Sequence, residues 1–193
     1  MGTVTSFYYS PADGVIMRWF WIDRFTEFVS GSHATAVKGV SLSEDHLHDH
    51  HIGYPIMPNS LCCEGMAQAG GLLISEHYGF GELVVLAKLS KAKFTGRARP
   101  GETLTYKVTA DWIRNDSAQV SGVATVGDRP HGEVQILFAR MGEDMAKEMG
   151  AKLFRPTDLR HWLNLVGVFE VGVKQDGTRL KREDYPLNEP AAS

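Results

Sequence analysis

The run from Leu61 to Ile74 is apolar on nearly every side, and that limits what the chain can become. A helix apolar all round has no face for water and has to be buried. The helix expected here runs about Ser60 to Tyr78, roughly 30 Å at 1.5 Å per residue. Asn59 or Ser60 can cap its start, and Gly79 can end it. Gly65, Ala67, Ala69, Gly70 and Gly71 make one region of its surface very small. An interior glycine costs about 1 kcal/mol relative to alanine, so close approach of another backbone is the expected reason for them. One acid, Glu64, interrupts the run in the first or second turn, where burial would raise its pKa.

After this helix the period changes from 3.6 to 2. Leu104, Tyr106, Val108, Ala110 and Trp112 alternate with Thr103, Thr105, Lys107, Thr109 and Asp111, which predicts a half-buried antiparallel strand. Gln119 to Val126 and Glu133 to Arg140 follow as strands, with turns at Asn115-Asp116 and Gly127 to Pro130. Leu83 to Phe94 enters the meander, and Pro100-Gly101 turns it. Upstream, an aromatic stretch from Arg18 to Phe28 and a strand from His33 to Val40 flank a turn at Gly31-Ser32. The fold class expected is α+β, a curled antiparallel sheet wrapped round one long central helix. Residues 1–17 read as a leader, 18–141 as the domain and 142–193 as a C-terminal extension. In that extension, Glu143 to Lys152 and Pro156 to Leu165 predict short helices. From Lys174 onward the chain is charged and turn-rich, and disorder is the expectation.

The 193 residues suit one domain with an extension. The net charge of −3 excludes a strongly basic nucleic-acid binder. No apolar run reaches the ~18 residues of a membrane span, and the start lacks the charged and apolar regions of a secretory signal. The two cysteines, Cys62 and Cys63, are adjacent and make no disulfide framework. A cytoplasmic protein is expected.

Ahead of the helix stands His46-Leu47-His48-Asp49-His50-His51-Ile52-Gly53-Tyr54-Pro55-Ile56-Met57-Pro58. Its second half, followed by Glu64-Gly65-Met66-Ala67-Gln68, resembles the active-site segment of the 3-hydroxyacyl-(acyl-carrier-protein) dehydratases. That family's pattern is His-Phe-(Pro/Ile)-Gly-x-Pro-(Val/Ile)-Met-Pro-Gly, with an acid fourteen residues after the His. Positions 50 and 64 have that spacing. Trp21-Ile22-Asp23-Arg24 is similar to the family's Val-Asp-Arg, and Lys91-Ala92-Lys93-Phe94 with Pro100-Gly101-Glu102 extends the likeness across about residues 18–140. Two positions depart from the pattern: His51 stands where the family has Phe, and Asn59 where it has Gly. Ile52 is like the dehydratase/isomerase branch, whereas Glu64 is like the branch that does not isomerise.

The resemblance implies a hot-dog fold, and a lyase converting 3-hydroxyacyl thioesters to trans-2-enoyl thioesters in fatty-acid, polyketide or other lipid synthesis. It implies no dissociable cofactor, because only protons and water move. His50 would take the C2 proton, since an imidazole titrates near about 6.5 and is part neutral at working pH. Glu64 would protonate the leaving hydroxyl. N–H groups at Gly53, Asn59 and Ser60 would face the thioester oxygen, and Gln68, one turn beyond Glu64, would support the site. Lys88, Lys91, Lys93, Arg97 and Arg99 put five positive charges into twelve residues of an acidic chain. They would dock an acidic acyl carrier protein; coenzyme A is the alternative carrier. Members of the family pair as dimers, which would place His50 of one chain opposite Glu64 of the other, with higher oligomers open.

Blander readings stand beside these. Glu64 can serve the helix dipole, Gln68 can be a core amide, and the basic run can be a solvated strand edge. His46, His48, Asp49, His50 and His51 have the spacing of a zinc site, although no metal is expected once the dehydratase motif accounts for His50. A hot-dog thioesterase and a non-catalytic acyl-binding or scaffold subunit are the rival functions. Fold alone does not separate them.

Overall fold

The chain is described here from a computed structural model, over residues 20–141 and 156–187. Strands β1 (Arg24–Val29) and β2 (His33–Gly39) precede a one-turn helix α1 (His46–Asp49) and the long helix α2 (Asn59–His77). Then come β3 (Leu83–Phe94), β4 (Thr103–Ile113), β5 (Ser117–Val126) and β6 (Arg129–Met141). Helices α3 (Pro156–Leu165) and α4 (Val168–Val171), strand β7 (Gly172–Val173) and a 3-10 turn (Arg182–Asp184) complete the described chain. The expected helix over Glu143 to Lys152 lies outside the described residues.

The seven described strands form one sheet in the order β3-β6-β5-β4-β2-β1-β7. All neighbours are antiparallel except β1 and β7. The sheet curls over α2 because alternate residues of β4 and β5 face it. Leu104, Tyr106, Val108, Ala118, Val120 and Ala124 are fully buried against the helix. The alternation in β4 stops at a bulge between Ala110 and Trp112, so Ala110 and Trp112 are only half-buried.

Helix α2 begins one residue earlier than expected. Pro58 holds the N-cap position and no side chain caps it, so neither Asn59 nor Ser60 does so. The C-terminal expectation holds. Gly79 has φ 70° and donates to Glu76 O at 2.8 Å, and Phe80 N–H donates to Ser75 O at 2.8 Å. These paired bonds satisfy the last carbonyls of the helix in a Schellman motif.

The small residues of α2 do different jobs. A Cβ on Gly65 would lie 2.6 Å from the Tyr106 ring and 2.8 Å from Trp21 O, so only glycine fits there. A Cβ on Gly71 would meet Phe138 at 3.5 Å, an ordinary contact. Gly71→Ala is therefore expected to stabilise the fold by about 0.5–1 kcal/mol. Gly65→Ala is expected to destabilise it by about 1–3 kcal/mol through overpacking. Thermal melting of the two variants checks both signs.

The extension is ordered over its described part, against the expectation of disorder from Lys174. Val173 bridges Arg179, and Leu180 and Leu187 are 2% and 1% exposed. The apolar residues spaced through that charged stretch anchor it, which composition averaged over the stretch conceals.

Candidate active site

The buried helix has one open stripe. Ser60 and Glu64 are exposed, and Gln68 and Gly71 are half-buried, at steps of four, four and three residues. Those steps keep to one helix face. An apolar cavity of about 540 Å³ lies along this stripe, lined by Glu64 and Gln68 at its head and then by Gly71, Leu72, Phe80, Leu83 and Phe138.

Gln68 sets the direction of Glu64. Its Oε1 accepts from Trp21 N–H at 2.8 Å. Its Nε2 is thereby turned toward Glu64 and donates to Oε1 at 3.2 Å. The amide orientation is fixed because a backbone N–H can only donate. The family motif singled out Gln68, but only the fold reveals Trp21 as its anchor. The expected burial of Glu64 is not met within one chain, since its side chain is exposed. A second carboxylate on the cavity, Glu82, is held by both nitrogens of the Arg140 fork. Hydrogen bonding to that guanidinium keeps Glu82 below the usual carboxylate range. Glu82 is thus a poor proton donor, which leaves Glu64 as the other carboxylate among the described residues that line the cavity.

The histidine stretch sits on a polar clasp. Lys38, 6% exposed, reaches Glu44 at 2.7 Å and Asp23 at 3.6 Å, and Asp23 accepts from Gly39 N–H at 2.6 Å. Desolvation pushes the Glu44 carboxyl up, but hydrogen bonds from Lys38 and from Ser41 N–H outweigh it and hold it low. The clasp fixes α1, with Leu47 1% exposed. His46 packs edge-on against Trp21 at 5.0 Å, and burial lowers its pKa. His48 bonds Leu42 O through Nε2 at 2.6 Å. His50 and His51 follow α1, exposed and in edge contact at 4.5 Å. Among the described residues no group of three or more His, Cys, Asp or Glu is placed to hold a metal ion.

The loop to α2 is pinned by Met57 N–H to Ala98 O at 2.8 Å. Gly53 has φ 74°, a left-handed turn that favours glycine. Asn59 and Ser60 open the helix, where first-turn N–H groups point outward. His50, Gly53, Asn59 and Ser60 do not line the cavity that holds Glu64 and Gln68. One chain therefore does not bring the two halves of the candidate site onto one cavity.

The basic residues divide in two. Arg97 and Arg99 gather round Tyr54, donating to its hydroxyl at 3.2 and 3.0 Å with their guanidiniums 5.6 and 5.7 Å from the ring centre. Lys88 and Lys93 project from β3, whereas Lys91 pairs with Glu133 at 3.0 Å. Strand β3 is the sheet edge, and it is exposed from Leu86 to Lys93.

Cys62 and Cys63 are free thiols. Cys62 is buried beside Tyr106, with His131 Nε2 3.4 Å from its Sγ. Burial pushes the Cys62 thiol up to about 12, which makes it inert as a nucleophile. It also ties stability to alkaline pH. The folded pKa is raised, so the contribution is whole below about 9 and is lost as pH rises toward 12. The slope is about 1.4 kcal/mol per pH unit. The melting midpoint should fall between about pH 9 and 10, before tyrosines of the unfolded chain ionise. Cys62→Ala is expected to flatten that fall.

A curled sheet round a central helix, with an oriented carboxylate at the head of an apolar cavity, defines a hot-dog enzyme. The FabA-like domain profile matches residues 18–129, and the chain belongs to that family. Its relatives include the 3-hydroxyacyl-[acyl-carrier-protein] dehydratase FabZ of Oenococcus oeni, 34% identical over 118 residues, covering 61% of this chain and 85% of that protein. The protein of the same name from Koribacter versatilis is 40% identical over 110 residues, covering 56% and 70%. A hot-dog-like protein from Thermanaerovibrio acidaminovorans shares the fold, with a TM-score of 0.55, 19% identity and coverage of 64% and 90%. The chain is a dehydratase-like lyase. No described helix is long and apolar enough to cross a membrane.

Proposed function

We propose that this protein dehydrates 3-hydroxyacyl thioesters, borne on acyl carrier protein, to trans-2-enoyl thioesters for fatty-acid or related lipid synthesis in the cytoplasm. The observation that carries the reading is Glu64, turned by Gln68 and standing at the head of an apolar cavity. Such a cavity suits an acyl chain whose reacting carbons stop at the carboxyl group.

His50 removes the C2 proton as general base, and Glu64 delivers a proton to the departing hydroxyl, which leaves as water. N–H groups at Gly53 and at the start of α2, from Asn59 and Ser60, stabilise the charge that develops on the thioester oxygen. The site is completed by a second copy of the chain. The exposed edge strand β3 offers unpaired backbone groups and Leu86 and Leu89, 46% and 42% exposed, for pairing with its twin. That pairing covers the open stripe of α2, desolvates Glu64 and lets His50 of one protomer face Glu64 of its partner. The cations of β3 and the Arg97–Tyr54–Arg99 group serve as the dock for the acidic carrier.

The test is incubation with 3-hydroxybutyryl and crotonyl thioesters, followed by enoyl-thioester absorbance. Interconversion is the expected result. Release of free thiol without enoyl product would make the protein a thioesterase. Binding without either reaction would make it an acyl-chain carrier or scaffold.

A further inference from the structure

The cavity beside α2 is not walled by the central helix and sheet alone. Leu159 and Trp162 of α3, with Pro186 and Leu187 beyond the 3-10 turn, complete its lining. All four lie outside residues 18–129, the span matched by the family profile. Three of them belong to the interior, Leu159, Trp162 and Leu187 being 7%, 8% and 1% exposed, whereas Pro186 is exposed.

Two contacts fix where this wall stands along α2. Trp162 packs against Phe20, ring centres 5.3 Å apart. The next residue, Trp21, holds Gln68, so Trp162 stands near the catalytic end. At the other end, the Tyr185 hydroxyl donates to Glu76 Oε1 at 2.6 Å, and its ring lies 5.1 Å from Phe80. Leu187, two residues on, lines the cavity together with Ser75. Glu76 is twelve residues past Glu64, about 18 Å along the helix axis. A void left in a core destabilises the fold in proportion to its volume. An apolar space kept open from Glu64 to Leu187 therefore suits an occupant that enters past the carboxylate.

We propose that the C-terminal segment is the chain-length gauge of this enzyme. Resting on the dehydratase reading above, the occupant is the acyl tail of the thioester. Trp162 and Leu159 narrow its channel, and Leu187, steadied through Tyr185 and Glu76, closes the far end. A tail that reaches Leu187 fills the channel, and each methylene beyond it meets a wall. Discrimination of that kind runs at roughly tenfold per methylene.

The experiment compares wild type, Trp162→Ala and Leu187→Ala on a series of 3-hydroxyacyl thioesters from 3-hydroxybutyryl to 3-hydroxypalmitoyl. Melting curves establish that each variant is folded. Wild type is expected to lose kcat/KM beyond one chain length, and Leu187→Ala to move that limit up by about two methylenes relative to the 3-hydroxybutyryl rate, whereas Trp162→Ala, nearer the carboxylate, is expected to change the long-chain rates without moving the limit. A merely structural segment would lower all substrates together. In parallel, wild type is photolabelled with a 3-hydroxyacyl thioester bearing a diazirine at the tail end. The label is expected on peptides within 156–187. An unchanged length profile in folded variants, or a label confined to other segments, overturns the proposal. Should both variants unfold, the label decides alone. If the label falls within 156–187 but no enoyl product forms, the gauge stands and the dehydratase reading fails.

Discussion

Replacing Glu64 by Gln is expected to lower dehydration about 10²- to 10⁴-fold, the range for loss of a general acid. The melting midpoint should stay close to that of wild type. Glu64 is exposed in its own chain and bonds the Gln68 amide. Gln keeps the size and still offers an oxygen to that amide, but it has no acid proton to give. Glu64→Asp should keep part of the activity, because the proton survives and only its reach shortens. Enoyl-thioester absorbance and a thermal melt on the same samples read the two effects separately. Wild-type rates in the Gln variant would reduce Glu64 to a helix-dipole residue.

The second large effect concerns assembly. His50→Ala and Glu64→Gln proteins should each be nearly inactive, yet regain activity when mixed under conditions of subunit exchange. A mixed dimer carries one site with both lesions and one with neither. Random pairing in a symmetric dimer makes half the dimers mixed, so about a quarter of all sites should work. The structural basis is the failure of one chain to bring His50 onto the cavity that Glu64 heads. Exchange without recovered activity would mean that the two residues act within one protomer.

Long periodic elements were legible before any coordinates. The apolar run made α2 unavoidable, and period-2 alternation located β4, β5 and β6. The resemblance to the dehydratase motif, with its histidine-to-acid spacing, named the candidate pair. What the sequence could not carry was direction. A run apolar on every side does not reveal which stripe the sheet leaves open, so Glu64 read as buried although it is exposed. The anchoring of Gln68 by Trp21 joins residues forty-seven apart and leaves no local signal. Strand β7 has two residues, too few for any period. The segment from Lys174 read as disordered because its charges outnumber the few apolar residues that hold it down.

The placement of β7 has a consequence for growth. Segments of the extension occupy the outer margin of β1: Phe25 N–H donates to Val166 O at 2.8 Å, and Ser30 N–H to Val173 O at 2.9 Å. Among the described strands, β3 is then the one long margin left open. Addition of chains strand by strand needs two free margins per subunit, one to receive and one to offer. With a single margin, a twin that docks consumes the only template, and propagation into fibres has nowhere to continue. Among the described strands, the same segment that lines the cavity therefore also covers the margin that a second round of strand-by-strand pairing would need.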